Sequence, residues 1–348
     1  MIQTSKYLLA LLLILGLASC GSNRDDENTE SDEQELSDTV VVDSLKLLDN
    51  RVERYPNQIE PLYERASYLI RQGSVAPAKE DLQSAVAIDS TSMKVRSLYA
   101  DVLLSNLELE ESKRHYDYVL GRDSLNVNAM MGMGKLYALL DNSSKSVYYL
   151  SEVLKVDPYN ADAYFMKGMV YRSDYYKLGM QESWDRAMSS YQTAVEQDPN
   201  YYAAYVEMGV MHDHAGSDLA LDYYRSALDV YPESIEAWYN IGMYYQTRGE
   251  VDKALETYNQ LHEVDSTYPD AYFNHGYVHM IMTEDLDSAL HFFNIAVDLD
   301  PEYFQAYNNI GLCYEKKGDL GMARSYYQKA VEINPDYQLA KDNLNALQ

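Results

Sequence analysis

The stretch "FQAYNNIGLCYEKKGDLGMARSYYQKAVEINPDY", Phe304 to Tyr337, decides the fold. Tyr307, Ile310-Gly311, Tyr314, Ala323, Tyr327, Ala330 and Pro335 set out aromatic, small and proline positions across a unit of 34 residues. Stepping back by 34 with small corrections finds seven more copies, starting at Ile59, Met93, Val127, Ala161, Tyr202, Ile235 and Pro269. The eighth position of the eight copies reads Ala66, Ala100, Gly134, Gly168, Gly209, Gly242, Gly276 and Gly311. A second small column, in the second helix, reads Ala78, Ser112, Ser146, Ala187, Ala220, Ala254, Ala289 and Ala323. Small side chains at both places let two antiparallel helices approach closely, which bulky residues would prevent. The closing column is looser, with Pro158, Pro199, Pro232, Pro301 and Pro335 but Ser90, Ser124 and Ser266.

This pattern resembles the tetratricopeptide repeat. The resemblance implies an all-α fold, a right-handed superhelical solenoid of about eight helix-turn-helix repeats over residues 59–337. Stacked repeats need polar-faced terminators. Residues 42–58 have the spacing of a lone second helix and residues 338–348 that of a lone first helix, so both are expected as caps. With the repeats filling the body, no separate catalytic domain is expected.

At the other end, Lys6, the apolar run Tyr7–Leu17 and small Ala18-Ser19 follow the charge, greasy core and small-residue order of an export signal over residues 1–19. The run is too short for a membrane span, which needs roughly 20 apolar residues. Leu17-Ala18-Ser19-Cys20 resembles the lipobox of bacterial lipoproteins, which implies Cys20 as the lipid attachment point. At about 0.8 kcal/mol per buried CH₂, two or more acyl chains hold a protein stably on a bilayer. Residues 20–41 are then a lipidated cysteine followed by an acidic, almost non-apolar tether, too polar to fold by itself. Gly21 after the cysteine favours an outer membrane, facing either the periplasm or the cell surface.

Twenty-eight basic against 55 acidic residues give a net charge of −27. Nucleic acid and a bare anionic membrane surface are repelled by such a body, so the lipid is its expected membrane contact. The chain shows no phosphate-binding glycine loop, nucleophile elbow or paired Cys-x-x-Cys, and we expect no enzyme, cofactor or metal. His275 and His279 are one helical turn apart but fall on positions that face the helix partner, which reads as core. Cys313 has no intrachain partner once Cys20 is lipidated, so a buried thiol is expected.

Two features point to binding. Positions five and nine of the first helices lie about 130° from the packing stripe and, by the resemblance, line the concave groove. From repeats three to seven they read Met131/Lys135, Phe165/Met169, Val206/Val210, Tyr239/Met243 and Phe273/Tyr277, the composition of an adaptable apolar surface. Repeat four also carries seven extra residues, which predicts about one added turn on each helix and places Tyr175, Tyr176, Leu178 and Trp184 at the edge of the stack as a second contact. The expected function is a lipid-anchored, non-enzymatic scaffold that holds an apolar or aromatic-bearing segment of another envelope protein. The alternative is a surface-exposed lipoprotein that captures a glycan or small molecule with the groove aromatics.

Overall fold

The computed structural model describes residues 44–347. The export signal, Cys20 and the acidic tether lie outside the described residues. Among those described, 18 α-helices and one π-helical turn occur and no strand. The chain divides into two compact units, one ending at Gln197 and the other beginning at Asp198.

In the first unit, α1 (44–54) is followed by four helical hairpins. These are α2 (Ile59–Arg71) with α3 (Val75–Ile88), α4 (Met93–Ser105) with α5 (Leu109–Leu120), α6 (Val127–Leu139) with α7 (Ser143–Val156), and α8 (Ala161–Leu178) with α9 (Gln181–Gln197). The second unit holds four more: α10 (Tyr202–His214) with α11 (Leu219–Val230), α12 (Ile235–Thr247) with α13 (Val251–Val264), α14 (Pro269–Val278) with α15 (Leu286–Leu299), and α16 (Phe304–Lys316) with α17 (Leu320–Ile333). Helix α18 (Gln338–Ala346) closes it against α17. Within each unit, every helix packs on the one before it, which is the order of a helical-hairpin solenoid.

The small columns explain the pairing. A Cβ added to Gly209 would lie 2.4 Å from the ring of Tyr224, and one added to Gly168 would lie 2.5 Å from that of Tyr191. Leu82, Tyr116, Leu150, Tyr191, Tyr224, Tyr258, Phe293 and Tyr327, each on the second helix of its hairpin, are all fully buried. In repeats four to eight a large ring thus fills the room that the glycine of its partner helix leaves open. Where the second helix carries serine in its small column, the hydroxyl is used. Ser112 Oγ donates to the Ala100 carbonyl at 2.8 Å and Ser146 Oγ to the Gly134 carbonyl at 2.7 Å.

The turn inside each hairpin needs a left-handed residue, and position fifteen supplies it. Gly73, Gly216, Gly249 and Gly318 stand there at φ 72°, 71°, 72° and 85°, while Leu107 and Asp141 adopt φ 60° and 57° at the same place. Repeat seven runs one residue longer than 34, and the structure absorbs it in a π-helical turn, His279–Thr283, that moves the left-handed position to Glu284 at φ 56°. Repeat four absorbs its seven residues by lengthening both helices. Helix α8 has 18 residues against the 13 of α2, α4 and α6, and α9 has 17 against the 14 of α3 and α7.

Candidate functional site

First helices of successive repeats touch directly, α4 with α6 and α6 with α8 in the first unit, and α10 with α12 in the second. Packing on the second helix of the same hairpin and on neighbouring first helices together covers some of the apolar groove positions. In the first unit Phe165 is 7% exposed and packs on Tyr191 at 5.6 Å between ring centroids, and Met169 is 2% exposed. Both are core, as is Val206 of the second unit, packed with Ala227 and Ala237. These three positions are therefore corrected from groove surface to packing. Met131 and Lys135 keep part of their surface.

The second unit keeps more of the stripe at the surface. Val210, Tyr239, Met243, Phe273 and Tyr277 are all partly exposed. Tyr239 meets Tyr268 edge-on at 6.0 Å, and Phe273 stacks on Tyr303 at 5.0 Å. Met243 Sδ accepts from the Tyr258 hydroxyl at 3.5 Å, and Tyr277 packs beside Phe273 on the core of repeats seven and eight. Apolar side chains held half in the core are positioned without being removed from solvent.

Sequence reasoning missed the tyrosines at the starts of the first helices. Tyr202, Tyr268 and Tyr303 lie at or just before the first turn, and each reaches a carboxylate of a first helix. Tyr303 donates to Asp270 at 2.5 Å, Tyr202 donates to Glu236 at 3.2 Å, and the Asp270 charge acts on the Tyr268 hydroxyl. Burial, reinforced by these carboxylates, pushes the hydroxyls of Tyr202, Tyr268 and Tyr303 above their ordinary range, and burial does the same at Tyr239, so all four stay protonated donors. The signal was legible: a tyrosine directly precedes the first helix in repeats five, seven and eight and again before α18.

At the repeat-four extension, Tyr176 and Leu178 are exposed together with Met180, whereas Tyr175 and Trp184 are partly buried. The Tyr175 and Tyr176 rings lie 5.3 Å apart, so two of the four expected side chains form a pair, and the Trp184 indole nitrogen is buried.

In repeat two, Asp101 accepts from the buried Tyr116 hydroxyl at 2.5 Å, and desolvation lifts its carboxyl to about 6. The histidines of repeats six and seven form a stack. His262 Nε2 lies 3.0 Å from His275 Nδ1, Phe292 covers His275 at 3.7 Å, and His279 follows at 5.2 Å. Burial pulls His262 down to about 4 and His275 to about 3, which keeps both rings neutral. No group of three His, Cys, Asp or Glu side chains among the described residues could hold a metal ion. Cys313 is buried, and burial raises its thiol to about 11.

Comparison with known proteins agrees with the repeat geometry. Family models described as "Tetratricopeptide repeat" and "TPR repeat" match residues 304–337 and 243–281, so tetratricopeptide repeats are detected at those residues, a unit that generally mediates protein-protein interaction. The chain is 21% identical over 303 residues to the mitochondrial import receptor subunit TOM70 of Homo sapiens, covering 84% of this chain and 49% of that protein. It is 28% identical over 170 residues to a probable UDP-N-acetylglucosamine–peptide N-acetylglucosaminyltransferase SPINDLY of Hordeum vulgare, covering 47% of this chain and 17% of that protein. The chain thus spans about half or less of the length of these relatives. Among solved structures, the crystal structure of the APC/C hetero-tetramer Cut9-Hcn1 aligns with a TM-score of 0.49 at 16% identity, covering 98% of this chain and 62% of that one. MamA aligns with a TM-score of 0.43 at 25% identity, covering 49% of this chain and 96% of that one.

Proposed function

We propose that this protein is a non-enzymatic adaptor of the bacterial envelope, held on a membrane by lipid on Cys20, that binds an apolar or aromatic-bearing segment of a partner protein. The observation that carries the binding half is the first-helix face of the second unit. Tyr239, Met243, Phe273 and Tyr277 are apolar or aromatic, lie on consecutive repeats, and keep surface at the solvent instead of closing into the core. Partly open aromatic and methionine side chains suit a surface that adapts to a segment of another protein.

The anchoring half rests on the order of charge, apolar run, small residues and cysteine that ends at Cys20. No helix among the described residues is long and apolar enough to cross a membrane, so in this reading the lipid supplies the attachment. Fractionation tests it. Cys20→Ser is expected to leave helicity and thermal stability unchanged and to move the protein from the membrane pellet to the soluble fraction. Tight membrane association of that variant would end the lipoprotein reading. Protease treatment of intact cells separates the two faces, since only a surface-facing body is released.

A further inference from the structure

The repeats themselves show which chemistry fills one seat of the first-helix face. In repeat one, Glu60 and Tyr63 occupy positions two and five of α2, and Lys94 occupies position two of α4. The Lys94 ammonium lies 3.8 Å from the centre of the Tyr63 ring and 3.0 Å from Glu60 Oε1. An aromatic face and a carboxylate one turn apart thus hold a cation that the chain provides from its next repeat.

Repeat six has the same pair at the same positions, Glu236 and Tyr239 of α12. The residue that corresponds to Lys94, position two of the following repeat, is Asp270 of α14. Charge at the seat is therefore reversed. Instead of one acid, one ring and one ammonium, the second unit presents two acids and a ring, and adds two further tyrosines. Tyr303 hydrogen-bonds Asp270, and Tyr268 meets the Tyr239 ring edge-on at 6.0 Å. Asp270, Tyr239, Tyr268 and Tyr303 all keep part of their surface at the solvent. No basic side chain among the described residues forms an ion pair with Asp270. The nearby rings are protonated phenols, which supply electron-rich faces and no positive charge.

We propose that this place receives a basic side chain, lysine or arginine, from the bound segment of a partner protein, and that the segment's apolar residues lie along Phe273 and Tyr277. The inference rests on the adaptor reading above and adds the partner's chemistry to it. The cation replaces in trans what Lys94 supplies in cis, in a protein whose charge of −27 already favours basic partners.

The test uses the full chain on an array of decapeptide pools, apolar mixtures flanking one fixed central residue: lysine, arginine or norleucine. Norleucine keeps the stem of lysine and lacks the amine. Lysine and arginine pools should retain the protein about tenfold better than norleucine pools, as expected for a cation held by rings and a carboxylate. Asp270→Lys places an ammonium of the chain's own at the seat and should erase that preference. Asp270→Asn, which keeps an acceptor for the Tyr303 hydroxyl, should weaken it, and both variants should retain the wild-type circular dichroism spectrum. Equal binding of norleucine and lysine pools would overturn the proposal while leaving the adaptor reading standing. A preference that survives Asp270→Lys, or no retention on any pool, would also overturn it, the latter together with the apolar-segment reading.

Discussion

Replacing His275 with phenylalanine will flatten the acid side of the second unit's stability profile. His275 is 3% exposed, covered by Phe292 and in contact with His262, and the structure holds the two rings at about 3 and about 4. In the unfolded chain both return to about 6.5. For a histidine whose folded value is depressed, the unfolded state binds the extra proton. Stability is then fully present above pH 6.5 and is lost as pH falls toward the folded values. Between pH 6.5 and pH 5 each ring that stays neutral only in the fold lowers stability by about 2 kcal/mol. The neighbouring groups are His279, itself pulled down by burial and facing Asp285, and His291 on α15. His275→Phe removes one proton from this linkage and keeps an aromatic ring against Phe292. Its cost, the lost contact with His262, is the same at every pH. Urea melts from pH 7.5 to pH 5, followed at Trp238 in a Trp184→Phe background, should show the wild-type loss reduced by about 2 kcal/mol, the share of one ring. A wild-type profile without an acid slope, or an unchanged slope in His275→Phe, would refute the reasoning.

Other perturbations test the packing and the first unit. Gly209→Val drives a branched side chain into a site where even a Cβ would lie 2.4 Å from the buried Tyr224 ring, so it should lower stability by about 2–3 kcal/mol, and adding Tyr224→Ala should give a total loss smaller than the sum of the two single losses. Thermal melts of the single and double variants decide it, and purely additive losses would sink the idea. Asp101→Asn keeps an acceptor for Tyr116 and removes a carboxyl raised from 3.8 to about 6. An acid raised by burial costs stability as pH climbs through that window, to at most about 3 kcal/mol at pH 7. Asp101 keeps part of its surface at the solvent, so we expect Asp101→Asn to gain about 1–2 kcal/mol at pH 7 and nothing at pH 4, read by urea melts at both.

The fold class was legible because close helix approach leaves a recurring column of small residues. Gly209, Gly242 and Gly311 recur where Tyr224, Tyr258 and Tyr327 need room, and the recurrence survives low similarity elsewhere. The left-handed turn column was also on view at Gly73, Gly216, Gly249 and Gly318, although Leu107 and Asp141 disguise it in repeats two and three. The surplus residue of repeat seven could be counted, but a π-helical turn at His279–Thr283 depends on local hydrogen bonding that spacing does not encode. The candidate site was half legible. A single-helix projection places Phe165, Met169 and Val206 on the same face as Tyr239 and Phe273, yet only the packing of the surrounding helices, such as Tyr191 against Phe165, determines which of them is covered. The tyrosine-carboxylate seat escaped for a related reason, since Tyr303 and Asp270 are 33 residues apart and meet only when consecutive hairpins stack.

The central claim is that a partner segment lies along the first helices of the second unit. Its most direct test is photocrosslinking in intact cells, with a photoreactive amino acid at Met243 or Tyr277 and, as control, at Glu256, which is exposed on the second helix of repeat six. The account predicts the same discrete protein adduct from Met243 and Tyr277 and none from Glu256. Adducts from Glu256 alone, or an adduct pattern identical at all three positions, would contradict it.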